Sequence, residues 1–230
     1  MARLARIVIP SVPHHVTQRG NRRQTVFFGD GDYRAYLALL TEHTRAAGVG
    51  VWAWCLMPNH IHLILVPPEP DSLRAALAEA HRRYSRMVNA RANWRGYLWQ
   101  GRFASCPMDE AHTLAAARYV ELNPVRAGLV ARPQDWAWSS ARAHLGDAAD
   151  GLTDVAALGA LVPDWAAFLA QGLDDATLEA IRKGERTGRP LGDADFVNRL
   201  ESATGRPLAR RKPGPKPRIG EDGKSGGSSV

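Results

Sequence analysis

Between Val49 and Pro68 the chain reads VGVWAWCLMPNHIHLILVPP, two apolar runs interrupted by Met57-Pro58-Asn59. Runs of this length, bounded by glycine and proline, read as two buried strands joined by a tight turn. Upstream, Ile7-Val8-Ile9 opens the chain, Val16 and Thr17 favour a further strand, and Gly20-Asn21 marks a turn. From Asp32 to Ala47 the positions Tyr36, Leu37, Leu39 and Leu40 follow helical spacing, and Gly48 and Gly50 stop that helix. Asp71 or Ser72 caps a second helix whose apolar positions Leu73, Leu77, Ala80, Tyr84, Met87 and Val88 fall three and four apart. Tyr97-Leu98-Trp99 and Arg102-Phe103 predict a short hairpin around Gln100-Gly101, closed by Pro107. A third helix is predicted from its cap at Asp109 to Leu122, with Pro124 ending it at Asn123. The order strand, helix, strand, strand, helix, strand predicts an α+β fold: an antiparallel sheet with helices packed on one face.

Beyond that unit the pattern weakens. Trp136 to Ala141 reads as a capped turn with its tryptophans in the core, and residues 147–186 read as a helical extension of two short helices covering the core. From Thr187 to the end at 230 the composition shifts to a basic tail. Gly188-Arg189-Pro190 and Gly205-Arg206-Pro207 recur there, and Arg210, Arg211, Lys212, Lys216 and Arg218 follow among prolines and glycines. Such a stretch cannot bury a core, and it reads either as a solvated tail or as a DNA-contacting one.

Composition narrows the function. The 230 residues carry a formal charge of +7, which suits a polyanionic partner, most simply nucleic acid. Part of the arginine excess is what a GC-rich coding sequence produces without selection for DNA contact. Two cysteines far apart, Cys55 and Cys106, suggest neither a disulfide framework nor a cysteine zinc site. The reading is therefore cytoplasmic, with no membrane span and no signal peptide. A phosphate loop of the G-x-x-x-x-G-K-[ST] type is absent, so no nucleotide cofactor is expected.

The candidate chemistry sits on the organising strands. Alternation along a strand points His60 and His62 to one face and Ile61 to the other, so the two imidazoles can share one ion. A plain pair of hydrogen-bonded strand histidines is the competing reading. Of the adjacent His14 and His15, which point to opposite faces, at most one is functional. Tyr119 and Asn123 are four apart and share a helical face, although a lone tyrosine is more often a core or surface residue. Arg19, Arg22 and Arg23 at the first turn, and Arg82, Arg83 and Arg86 on the wet side of the second helix, are candidate phosphate contacts or ordinary solvated charge.

The blocks HVTQRGNRR at 15–23, CLMPNHIHLIL at 55–65, LWQGRF at 98–103, RYVELNPVRAGLV at 118–130 and WSSARAHLG at 138–146 occur in one order, and together they resemble the REP-associated tyrosine transposases, a branch of the single-tyrosine HUH transposases. The resemblance covers residues 1–146. It implies a ferredoxin-like fold in which His60 and His62 hold a divalent metal, Mg2+ or Mn2+, and Tyr119 is the nucleophile. Asn123 stands where insertion-sequence relatives place a glutamine as third ligand, and Arg102 of LWQGRF is a further candidate DNA contact, as are Arg210, Arg211 and Lys212 on the composition of the tail, which lies beyond the resemblance. The implied activity is cleavage and rejoining of single-stranded DNA hairpins, palindromes of the REP type, through a covalent phosphotyrosine link. The implied protein is a monomer rather than a dimer. The alternative is a domesticated protein that binds such hairpins, in DNA or RNA, without cutting them. A metallohydrolase is disfavoured because no carboxylate flanks the histidines as a general base.

Overall fold

The computed structural model describes residues 6–209, so Arg210, Arg211 and Lys212 lie outside the described residues. Four strands, β1 (His14–Arg19), β2 (Gly50–Met57), β3 (His60–Val66) and β4 (Ala104–Pro107), form a sheet in the order β2-β3-β1-β4, every neighbouring pair antiparallel. With α1 (Asp30–Ala46) between β1 and β2 and α2 (Ser72–Ala92) between β3 and β4, this is the ferredoxin-like βαββαβ arrangement. The two central strands, β1 and β3, are those that carry the histidines.

Alternation divides the strands between two cores. Val16, Val51, Trp54, Leu56, Ile61, Leu63 and Leu65 face α1 and α2, where they meet Tyr36, Leu40, Leu73, Leu77, Tyr84 and Val88. Of the apolar positions expected on α2, Met87 faces outward, 36% exposed. The opposite sheet face is closed as well. There Ala53, Cys55, Met57 and Ile64 pack against α3 (Glu110–Glu121) and against Leu158, Trp165, Phe168 and Ile181 of the C-terminal helices α6 (Val155–Gly159), α7 (Trp165–Ala170) and α8 (Asp175–Thr187). The expectation of helices on one face thus describes α1 and α2, and the later helices add a third layer.

Three local expectations change. Residues 97–103 form no hairpin; the segment runs beside the first turn instead, with Gln100 N–H donating to the Arg19 carbonyl and Asn21 N–H to that of Leu98, both at 2.8 Å. Pro107 is then the last residue of β4 rather than a hairpin closure. The third helix ends at Glu121 with Leu122 as its cap, close to the expected end, but Asn123 is not held out of helical geometry: it opens a separate short helix, α4 (Asn123–Arg126), whose second position takes Pro124 at no cost in hydrogen bonds. Part of the expected tail is folded. The helix α9 (Ala194–Thr204) buries Phe196 and Leu200 against Ile7 and Leu208.

Two of the sequence blocks explain each other through Glu121. This fully buried carboxylate accepts hydrogen bonds from Ser140 Oγ at 2.5 Å and Trp165 Nε1 at 2.7 Å, and lies 2.6 Å from His144 Nδ1. Trp54 N–H in turn donates to Ser140 Oγ. The end of α3 is thereby pinned to β2 and to the C-terminal layer, which fixes the neighbouring Tyr119.

Candidate active site

Register brings the candidate residues to one sheet face. Thr17 pairs with His62 and Arg19 with His60, so His15, Thr17 and Arg19 of β1 point the same way as the two histidines of β3. The turns at the strand ends lock together: Gly20 N–H donates to the Asn59 carbonyl at 2.8 Å and Asn59 Nδ2 to that of Arg23 at 3.0 Å. A Cβ on Gly20 would meet the Gln24 carbonyl at 2.2 Å, so only glycine fits there. Arg22 and Arg23 take the left-handed conformation, φ 51° and 61°, that costs a side-chain-bearing residue about 1 kcal/mol or more. The strain is carried where arginines are presented at the mouth of the site.

A cavity of about 670 Å³ opens there, lined by Thr17, Arg19, Arg23, His60, His62, Arg102, Tyr119, Arg182 and Glu185 among others. His60 Nδ1 lies 2.6 Å from Asn59 Oδ1, a contact that places its proton on Nδ1 and leaves Nε2 with a free lone pair. His62 is 1% exposed and its Nδ1 lies 3.0 Å from His15 Nε2. The Tyr119 ring stands edge-on to both, its centroid 5.4 Å from that of His62 and 6.0 Å from that of His15. Arg126 covers the other side of the phenol, its guanidinium 4.1 Å from the ring centre and its Nη1 donating to the Tyr119 carbonyl at 2.9 Å.

Burial sets the protonation. It lowers His60 to about 4, with Arg19 adding to the effect, and His15 to about 3; His62 is held well below its ordinary value by burial and then by His60, His15 and the two arginines. All three imidazoles are neutral at neutral pH, the form that donates a lone pair to a metal. Burial raises the Tyr119 phenol, with Glu185 adding to it and Arg126 and Arg182 opposing. Burial also pushes the Glu185 carboxyl up to about 7, against Arg19, the Tyr119 hydroxyl, Arg126 and Arg182.

Of the residues singled out in the sequence, the structure gathers His60, His62, Tyr119, Arg19, Arg23 and Arg102 at this cavity. Asn123 is buried one helical turn beyond Tyr119, its amide nitrogen without a partner, and it is not among the lining residues. Arg82 is bound through two contacts to Glu79, and Arg83 to Glu42 at 2.6 Å, so both guanidiniums are already paired. Arg22 and Arg86 are exposed. His15, Arg126, Arg182 and Glu185 were not assigned from the sequence. For His15 the alternation of β1 carried the signal; for Glu185, at the end of an amphipathic helix, nothing local did.

A family profile described as "Transposase IS200 like" matches residues 9–123. Among solved structures, a REP-associated tyrosine transposase bound to a REP hairpin is 22% identical, with 67% of this chain and 90% of that one covered and a TM-score of 0.52. A presumptive transposase from Deinococcus radiodurans R1 is 21% identical over 52% of this chain and 96% of that one, with a TM-score of 0.38. No curated protein matches the sequence. Among the described residues no helix is long and apolar enough to cross a membrane.

Proposed function

From the match over residues 9–123 of its 230, the chain belongs to the IS200-like transposase family, and on that premise we propose that it is a single-tyrosine strand transferase of the REP-associated branch. Its substrate is single-stranded or hairpin DNA, and it acts as a monomer. The observation that carries the reading is one cavity in which the Tyr119 phenol meets two neutral imidazoles and three unpaired-by-carboxylate arginines, Arg19, Arg23 and Arg102.

The residues present suit a divalent ion: the imidazoles are neutral, His60 Nε2 is left free by the Asn59 contact, and nitrogen with oxygen donors favours manganese over magnesium in affinity. His60 and His62 would hold it, with Asn123 carried over as a third ligand from the resemblance, and the ion would draw charge from a phosphate oxygen in the crowded transition state. Arg19, Arg23 and Arg102 orient the phosphates by charge-assisted hydrogen bonds. Tyr119 Oη bonds to phosphorus as its proton leaves, the bond to the leaving 3′-oxygen breaks, and that oxygen takes up a proton as a free 3′-hydroxyl. The phosphotyrosine keeps the bond energy, so a 3′-hydroxyl can reverse the step without ATP. Arg126, stacked on the ring and bonded to the Tyr119 carbonyl, holds the phenol edge-on to the imidazoles.

The test is incubation of the protein with a labelled single-stranded oligonucleotide from the flanks of its own gene, in Mn2+ or Mg2+ and in chelator. The expected result is a denaturation-resistant protein–DNA species formed only with metal and missing in Tyr119→Phe. Hairpin binding with no such species under any condition would instead establish the non-cleaving alternative.

A further inference from the structure

The helix α8 is seated on the sheet through a glycine. A Cβ on Gly184 would lie 2.8 Å from Leu191 Cδ1 and 3.2 Å from Cys106 Sγ, so the helix comes this close to β4 only with no side chain at that position. Glycine inside a helix costs stability, and here the close seat is what it allows. Ile181, one turn earlier, is fully buried in the second core, and Cys106 pairs with His15 in the register of the sheet. The helix thus lies against β4, β1 and α3. Arg182 and Glu185, three apart on α8, are thereby brought to the cavity that holds Tyr119. Arg182 donates a hydrogen bond to the Tyr119 hydroxyl, which is bonded in turn to the Glu185 carboxyl. Among the described residues no carboxylate forms an ion pair with Arg182, whereas Arg186 on the next turn is paired with Glu179. Arg126 is engaged elsewhere, flat on the ring and bonded to the Tyr119 carbonyl. Arg182 is therefore a guanidinium directed at the attacking oxygen itself, on a side chain exposed enough to meet an arriving phosphate.

We propose that Arg182 is a catalytic residue of strand transfer, supplied by the C-terminal layer: it holds the phosphate that Tyr119 attacks and stabilises the charge that grows on its non-bridging oxygens. The inference rests on the strand-transferase reading and deepens it with a residue beyond the matched segment 9–123. As the bond from Tyr119 Oη to phosphorus forms and the bond to the leaving 3′-oxygen breaks, the phenol loses one proton and the 3′-oxygen gains one. Arg182 stays protonated throughout, so its part is charge and geometry and not proton transfer. Arg19 and Arg23 reach the cavity from β1 and the turn after it, and Arg182 from the helix laid over the sheet, so a phosphate there is gripped by two layers of the fold. Docking of α8 is then a condition of catalysis, and not only the closing of a core.

The experiment uses the full chain and the labelled oligonucleotide from the flanks of its gene, and measures the rate of adduct formation in Mn2+ at saturating DNA. Compared are the parent, Arg182→Ala, Arg182→Lys and Lys183→Ala, the last an exposed neighbour on the same turn. Because Arg182 is exposed, its variants should fold, with parent-like circular dichroism and melting. Arg182→Ala is expected to form the adduct about a hundredfold more slowly, the usual cost of removing one donor from a developing charge. Arg182→Lys, which keeps the charge without the fork, should fall between Arg182→Ala and the parent, and Lys183→Ala should match the parent. A parent-like rate in Arg182→Ala overturns the proposal, as does an equal loss in Lys183→Ala, which would make α8 a docking element alone. The two readings fail separately. A parent that forms no adduct overturns strand transfer and the catalytic role with it, whereas adduct formation indifferent to Arg182 overturns this inference and leaves the tyrosine reading standing.

Discussion

The two faces of one sheet are finished differently. Toward α1 and α2 the buried polar groups, Trp99 Nε1 excepted, answer each other: Tyr36 Oη and His81 Nε2 lie 2.9 Å apart, Tyr84 Oη donates to the Val26 carbonyl at 2.6 Å, and Asp32 takes both Arg91 and the Phe28 N–H. Toward α3 and α8 they do not. His15 Nδ1, His62 Nε2, Asn123 Nδ2 and Glu185 Oε1 are all buried without partners, on the side where the cavity lies. Native interiors leave few such groups open, and a cluster of them marks where a ligand completes the structure. The sheet thus gives one set of alternating positions to its first core and divides the other between a second core and the chemistry.

Adjacent residues of β3 give the sharpest break of that comparison. His62→Gln should lower DNA nicking by roughly a thousandfold, the several kcal/mol that a positioned metal contributes, while melting in chelator changes little. Its neighbour Leu63, fully buried on the other face, should do the opposite. Leu63→Ala is expected to lose about 2–5 kcal/mol in urea unfolding and to retain nicking per folded molecule. The third test concerns pH on the closed face. Burial lowers His81 to about 3 from 6.5, so the unfolded chain takes up the proton first, and the stability present above pH 6.5 is lost as pH falls toward 3. Between pH 7 and pH 5 that loss is about 2 kcal/mol, and denaturation curves of His81→Gln should lack this share of the decline. The smallest effect separates arginines. Arg19→Ala should reduce the salt slope of single-strand binding by about 0.7, one phosphate contact, whereas Arg82→Ala, already paired with Glu79, should leave it unchanged.

The closed face was legible because its rules are local. Apolar positions at periods of two and near 3.6 placed β2, β3, α1 and α2 with small errors at their ends. The H-x-H alternation likewise put His60 and His62 on one side, as found. What stayed hidden depended on contacts distant in sequence. Glu185 reads like Glu179, one more acid on the wet side of α8, until the helix docks on β4 and turns the former inward. The segment 97–103 looked like a hairpin because Gln100-Gly101 is good turn chemistry, but its backbone groups found the turn after β1 instead. The helix α9 was concealed by the Gly-Arg-Pro elements on both sides; Phe196 and Leu200, four apart, were the signal that opposed them. Asp193 caps it by accepting from Phe196 N–H at 2.7 Å.

The claim at the centre is that Tyr119 attacks DNA. Trapped protein–DNA species, digested by nuclease and protease and sequenced by mass spectrometry, test it directly. The account predicts a nucleotide phosphate on the peptide containing Tyr119 and on no other. A nucleotide found instead on the peptides of Tyr84 or Tyr97, or an adduct that persists in Tyr119→Phe, would contradict it.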